Sequence, residues 1–224
     1  MNKLQELVAE FKTVLGERGT LLDLILPPLL FLLVNSLFGA QAAMGAALAL
    51  AVGLGGLRLW RRQPVWYALG GVLAVLLALF LVRLVGSAAG FFLPNILSGA
   101  LTLLITFLSL LVGRPLVAWT SFIARRWPWN WYWHPRVRPA YTEVTWLWVG
   151  YFALRLWTQW LYWQQGDVNA LAVINLATGW PGTILLLALS YLYGTWRLRQ
   201  LRGPSVTEFQ QNLPPPWIGQ RRGF

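Results

Sequence analysis

What most constrains this chain is its recurring apolar blocks, each close to twenty residues long and free of charge. VWYALGGVLAVLLALFLV at 65–82 and PNILSGALTLLITFLSLLVG at 94–113 contain no Asp, Glu, Lys or Arg. At 1.5 Å of rise per residue, about twenty helical residues cross the roughly 30 Å of a bilayer's hydrocarbon. A backbone in hydrocarbon must satisfy its own hydrogen bonds, which selects helices over open strands. The chain is 57% hydrophobic and 11% charged, whereas soluble domains hold about 45–50% apolar and about 25% charged residues. The expectation is an all-α polytopic membrane bundle.

The pattern predicts six spans at about 20–38, 40–57, 65–85, 95–113, 143–163 and 168–196, within a transmembrane domain covering 19–200. Before it, residues 1–18 place Leu4, Leu7, Val8, Phe11, Val14 and Leu15 on one helical face and charges on the other, an amphipathic helix for the membrane surface. Pro27 and Pro28 are expected to kink or break the first span. Gly45, Ala49 and Gly53, then Gly70, Ala74 and Ala78, recur at the four-residue spacing that lets helices approach closely. GWPG at 179–182 is expected to divide the last span. Residues 201–224 read as a flexible tail with a PPPW segment.

Placed in this way, the spans form three hairpins, and every Lys and Arg except Arg83 and Arg155 falls on one side. The loops near 39, 86–94 and 164–169 carry no basic residue. The positive-inside bias then puts both termini in the cytoplasm of an inner or plasma membrane, and accounts for the net charge of +11 without nucleic acid. A cleaved secretory signal is not expected, because the leading region is too long and too acidic. With no Cys and one His, disulfides, thiolate catalysis and histidine-built metal sites are excluded, and no cofactor is expected.

Intramembrane charge is costly, at least ~2.5–3.5 kcal/mol near a helix centre, so Arg83 and Arg155 are singled out. Arg83 lies near a helix end and is expected to snorkel. Arg155 sits deeper, eight residues before the end of its span, and Gln159 follows one turn later on the same face. With Asn35 and Asn175 these form the expected substrate-binding set. Asn95, directly after Pro94, reads as a cap. Thr102, Thr106 and Ser109 share a face and are expected to bond neighbouring helices or the preceding turn.

Arg125, Arg126, Trp127, Trp129, Trp131, Trp133, Arg136 and Arg138 interleave basic and aromatic residues. Stacking on nucleic-acid bases is one reading of such a pattern; beside a membrane, an aromatic belt on anionic lipid head groups is the simpler one. His134 lies among them with no Ser, Cys or carboxylate motif, so it is expected to be an interfacial residue and the chain is not expected to be an enzyme.

The run LPPLLFLLVNSLFGAQAAMGAALALA at 26–51, RLWRRQP at 58–64 and SLLVGRPLVAW at 109–119 resembles an uncharacterised bacterial family of multi-span membrane proteins. The proline-bearing opening also looks distantly similar to the intracellular septation protein A family. Two functions are expected from the residues: transport or permeation of a small molecule, an anion or amphiphile, at Arg155, Gln159, Asn35 and Asn175; or an envelope scaffold docking protein partners through the 124–141 loop and the carboxyl-terminal tail.

Overall fold

The computed structural model of the chain describes residues 19–60, 62, 65–220 and 223–224; the surface helix expected over 1–18 lies outside the described residues. Among the described residues all regular structure is helical, and no strand occurs. The helices are α1 (Gly19–Trp60), α2 (Val65–Val85), α3 (Leu93–Leu111), α4 (Leu116–Arg125), α5 (Trp129–Tyr132), α6 (Arg138–Gln165), α7 (Val168–Ala177), α8 (Trp180–Leu201) and α9 (Val206–Gln210). A 3-10 turn, Ala88–Phe92, leads into α3. Among the described residues two stretches, Ala89–Leu111 and Val168–Leu201, are long and apolar enough to cross a membrane.

Within α1 the non-helical backbone is at Gly39, with φ 82° and ψ 172°. The break expected at Pro27 and Pro28 therefore falls elsewhere. Proline keeps a helical φ and sacrifices a hydrogen bond, whereas the conformation at Gly39 is essentially open to glycine alone. Gly39 marks the boundary between the first two predicted spans. The division expected at GWPG is present, since α7 ends at Ala177 and α8 begins at Trp180.

The chain forms two compact units. One takes Met1–Gly99 and Arg155–Gly182, the other Ala100–Leu154 and Thr183–Phe224. In the first, α1 packs on α2 and α7, and the 3-10 turn packs on α2 and α7. Its buried core is Ala43, Ala47, Ala89, Phe92, Ile96, Leu171 and Ala172. The packed face of α1 is thus the Ala43–Ala47 face. The ridge expected to pack, Gly45, Ala49 and Gly53, is exposed, and a Cβ at Gly45 or Gly53 would meet nothing within 4 Å. This segment has small residues on every side, so spacing alone does not choose the contact face. The Gly70, Ala74, Ala78 ridge lies outside the residues whose side chains are described.

The second unit has a predominantly aromatic core: Trp131, Tyr132 and Tyr141 are fully buried, with Val117, Ala118, Val137, Ala140, Val144, Leu198 and Phe224 around them. Here two expectations are corrected. Trp131, expected at the lipid interface, is interior and donates its indole N–H to the Pro204 carbonyl at 2.8 Å. Indole brings a large apolar area, and an internal acceptor removes the need for water at its polar edge. The segment expected to be a flexible tail is packed. Its helix α9 opens with a reciprocal capping box between Ser205 and Glu208. Glu208 also accepts from the Ile218 N–H at 2.7 Å and the Gly219 N–H at 3.3 Å. The Phe224 ring lies against Gly194 on α8, where any Cβ would meet it.

Candidate functional site

In the first unit, polar side chains from three helices meet. Pro94 occupies the first turn of α3, where its missing N–H has no intrahelical partner to lose. Asn95 comes directly after it. Arg155 and Gln159 stand one turn apart on α6, and Asn175 lies near the carboxyl end of α7. Arg155 Nη2 donates to Asn95 Oδ1 at 3.1 Å. Gln159 Nε2 donates to the same oxygen at 3.0 Å and to Asn175 Oδ1 at 2.8 Å. Asn175 Nδ2 donates to the Leu171 carbonyl at 2.8 Å. The cluster is graded in burial: Asn95 is exposed, Arg155 and Asn175 are half-buried, and Gln159 is completely buried.

The amide orientations are dictated by the ends of this chain of bonds. A guanidinium only donates and a backbone carbonyl only accepts. Asn95 must therefore turn its oxygen to Arg155, and Asn175 must turn its NH2 to Leu171. Both asparagines then present oxygen to Gln159, which must answer with its NH2. The turn after α7 passes close to Asn175: a Cβ at Gly179 would collide with the Asn175 carbonyl oxygen, so a side chain there would force the backbone to shift.

Of the expected substrate-binding set, Arg155, Gln159 and Asn175 come together. Asn35 does not join them; its Nδ2 donates to Asn169 Oδ1 at 2.6 Å. Asn95, read from sequence as a cap, is instead the shared acceptor. Arg83 is exposed on α2. Thr106 and Ser109 bond back within α3, to the carbonyls of Thr102 at 2.7 Å and Thr106 at 2.6 Å, and Ser109 also accepts from the Leu116 N–H. Among the described residues no group of three metal-ligating side chains assembles.

The expected lipid-interface set is divided in the second unit. Arg125 lies over the Trp127 ring at 4.9 Å and donates through Nε to the Phe224 carbonyl at 2.9 Å. Arg136 lies over Trp217 at 5.6 Å, and Arg114 over Trp133 at 4.3 Å. Trp129 packs edge-on against Trp119, Phe122 and Trp133. Arg126, Arg136 and Arg138 are exposed. Burial, with Arg136 second, holds His134 below its ordinary 6.5. A feature not anticipated from the sequence is the pairing of Glu143 with Arg197, whose Nε and Nη2 both reach the carboxylate, at 2.7–3.0 Å, while Tyr193 donates to it at 2.8 Å.

An all-helical chain with long apolar segments and an internal guanidinium–amide cluster is the class that these features define. The chain belongs to the family described as Protein of unknown function (DUF3159), whose model matches residues 15–199. No curated protein and no solved structure matches it.

Proposed function

We propose that this chain is a six-span bacterial inner-membrane or plasma-membrane protein with both termini cytoplasmic. In this reading it transports, or provides a path for, a small anion or anionic amphiphile recognised at Asn95, Arg155, Gln159 and Asn175. The observation that carries the reading is the convergence of one guanidinium and three amides from α3, α6 and α7, on helices whose remaining surface is largely apolar. Such groups are expensive at membrane depth and, when kept there, mark ion and substrate pathways. Asn95, the exposed member of the cluster, is where a ligand would first meet it. The six-span topology is supported by helix over each predicted span and by the one-sided arginines.

The scaffold reading relies on the 124–141 loop and the PPPW tail as open docking surfaces. Within the second unit these segments touch each other, through Trp131 to Pro204 and Arg136 over Trp217, while Pro214, Pro215, Pro216 and Arg126 remain exposed. The permeation reading is preferred for the polar cluster alone.

The test is anion flux into liposomes holding the purified full chain, driven by a potassium diffusion potential, with chloride, nitrate and small carboxylates as probes. Arg155→Leu should reduce flux at least about tenfold, the value of a charge-assisted hydrogen bond. Equal flux in a correctly inserted Arg155→Leu variant, or no flux of any probe in the wild type, refutes the proposal.

A further inference from the structure

The amide geometry assigns a substrate class to this cluster, an inference that rests on the permeation reading above. Gln159 uses both N–H bonds, on Asn95 and Asn175. Its carbonyl oxygen Oε1 is buried and accepts nothing within the protein. The amide cannot rotate to relieve this, because a flip would set its oxygen against two other oxygens, each fixed from beyond by Arg155 or by the Leu171 carbonyl. Leaving a buried acceptor unmet is costly, and native structures rarely do so without a reason.

The residue of α3 that faces this oxygen has no side chain. Gly99 on α3 faces this oxygen, and a Cβ added there would sit 3.7 Å from it. Gly99 is one turn after Asn95 on the same helix, so the orphaned acceptor and the oxygen shared with Arg155 are served by neighbouring turns of α3 and α6.

We infer that Gln159 Oε1 receives a hydrogen bond from the ligand, and that the ligand is a small organic anion carrying an O–H or N–H group beside its carboxylate, a hydroxy acid or amino acid. The carboxylate is drawn to the Arg155 charge; the neighbouring donor meets Gln159. A halide or a simple carboxylate satisfies the first requirement and not the second.

Lactate and propionate isolate the second requirement, since they share a carbon skeleton and differ by one hydroxyl. In liposomes holding the full chain at pH 8, lactate flux should exceed propionate flux about tenfold. In both Gln159→Met and Gly99→Ala the ratio should fall towards one, the first by removing the acceptor and the second by setting a methyl in contact with it. Gly99→Ala lies within a helix and removes no hydrogen bond, so it carries the test should Gln159→Met fail to insert. Equal lactate and propionate flux in the wild type overturns this inference while leaving anion permeation standing; a water molecule resident on Oε1 would give that result. A preference that survives in both variants also overturns it. No flux of lactate, propionate or chloride overturns the permeation reading, and this inference with it.

Discussion

The rings of Phe224 and Tyr141 lie parallel, 11° apart in plane and 4.4 Å between centroids. Tyr141 is fully buried at the start of α6, and burial raises its phenol above the ordinary range. The stack, the Gly194 contact and the Arg125 bond to the Phe224 carbonyl fasten the segment after Gly203 to its unit. Phe224→Ala should cost about 2 kcal/mol, from lost burial and ring contact. Hydrogen exchange and limited proteolysis should show residues 204–220 opening first, with the helical content of the rest unchanged. Protection equal to the wild type would show that the stack does not hold this segment.

Acid should loosen the same segment. Burial works to raise the Glu208 carboxyl, and hydrogen bonds from Ser205, Ile218 and Gly219 outweigh it, holding it at about 2 against an ordinary 4.5. A carboxyl depressed on folding adds stability that is complete above its unfolded value and is lost as pH falls from about 4.5 towards about 2. Limited proteolysis of the segment that holds Trp217, whose indole donates to the Leu213 carbonyl, should report the transition. In Glu208→Gln the change across that window should vanish, and the segment should be less stable at neutral pH. A pH response identical in the variant would assign it to another group.

Gly179→Ala forces a methyl against the Asn175 carbonyl. Relief requires the turn after α7 to open or Asn175 to shift, and the expected cost is about 1–3 kcal/mol. Because Asn175 anchors Gln159, anion flux should fall together with thermal stability. Unchanged stability and flux would mean the break tolerates a side chain.

The chain has no cysteine, so single cysteines can report topology without a background. Gln41→Cys and Gln165→Cys should react with an impermeant maleimide from the outer side of intact cells, and Arg62→Cys and Asn212→Cys only after permeabilisation. Labelling of Arg62→Cys in intact cells would refute the six-span arrangement.

The all-helical class and the long apolar helices are legible in the sequence because charge-free length is a one-dimensional signal, whereas the short helices α4, α5 and α9 are not. The break at 179–182 is readable from its glycines and proline, although the same signal at Pro27 and Pro28 leaves the helix unbroken. The face that packs is not readable. Ala43 and Ala47 offer the same small side chains as Gly45 and Ala49, and the choice is made by Phe92 and Leu171 arriving from distant positions. Asn95 escapes notice because an Asn after a proline at a helix start has a sufficient local explanation, and its contact with Gln159 is 64 residues away. Trp131 and Phe224 are hidden by a similar limit: an Arg/Trp-rich stretch at a predicted membrane edge has the composition of an interface whether or not later chain covers it.

The direction of the hydrogen bonds around Gln159 sets different chemical tolerances at two residues of the same kind. Asn95 takes part through its oxygen, on which two donors converge, whereas Asn175 both accepts and donates. An aspartate at 95 would keep both bonds and gain a charge opposite Arg155. An aspartate at 175 would turn an ionised oxygen towards the Leu171 carbonyl and repel it. Spontaneous deamidation, which makes that exchange without any change in the gene, would therefore be absorbed at one position and would dismantle the cluster from the other.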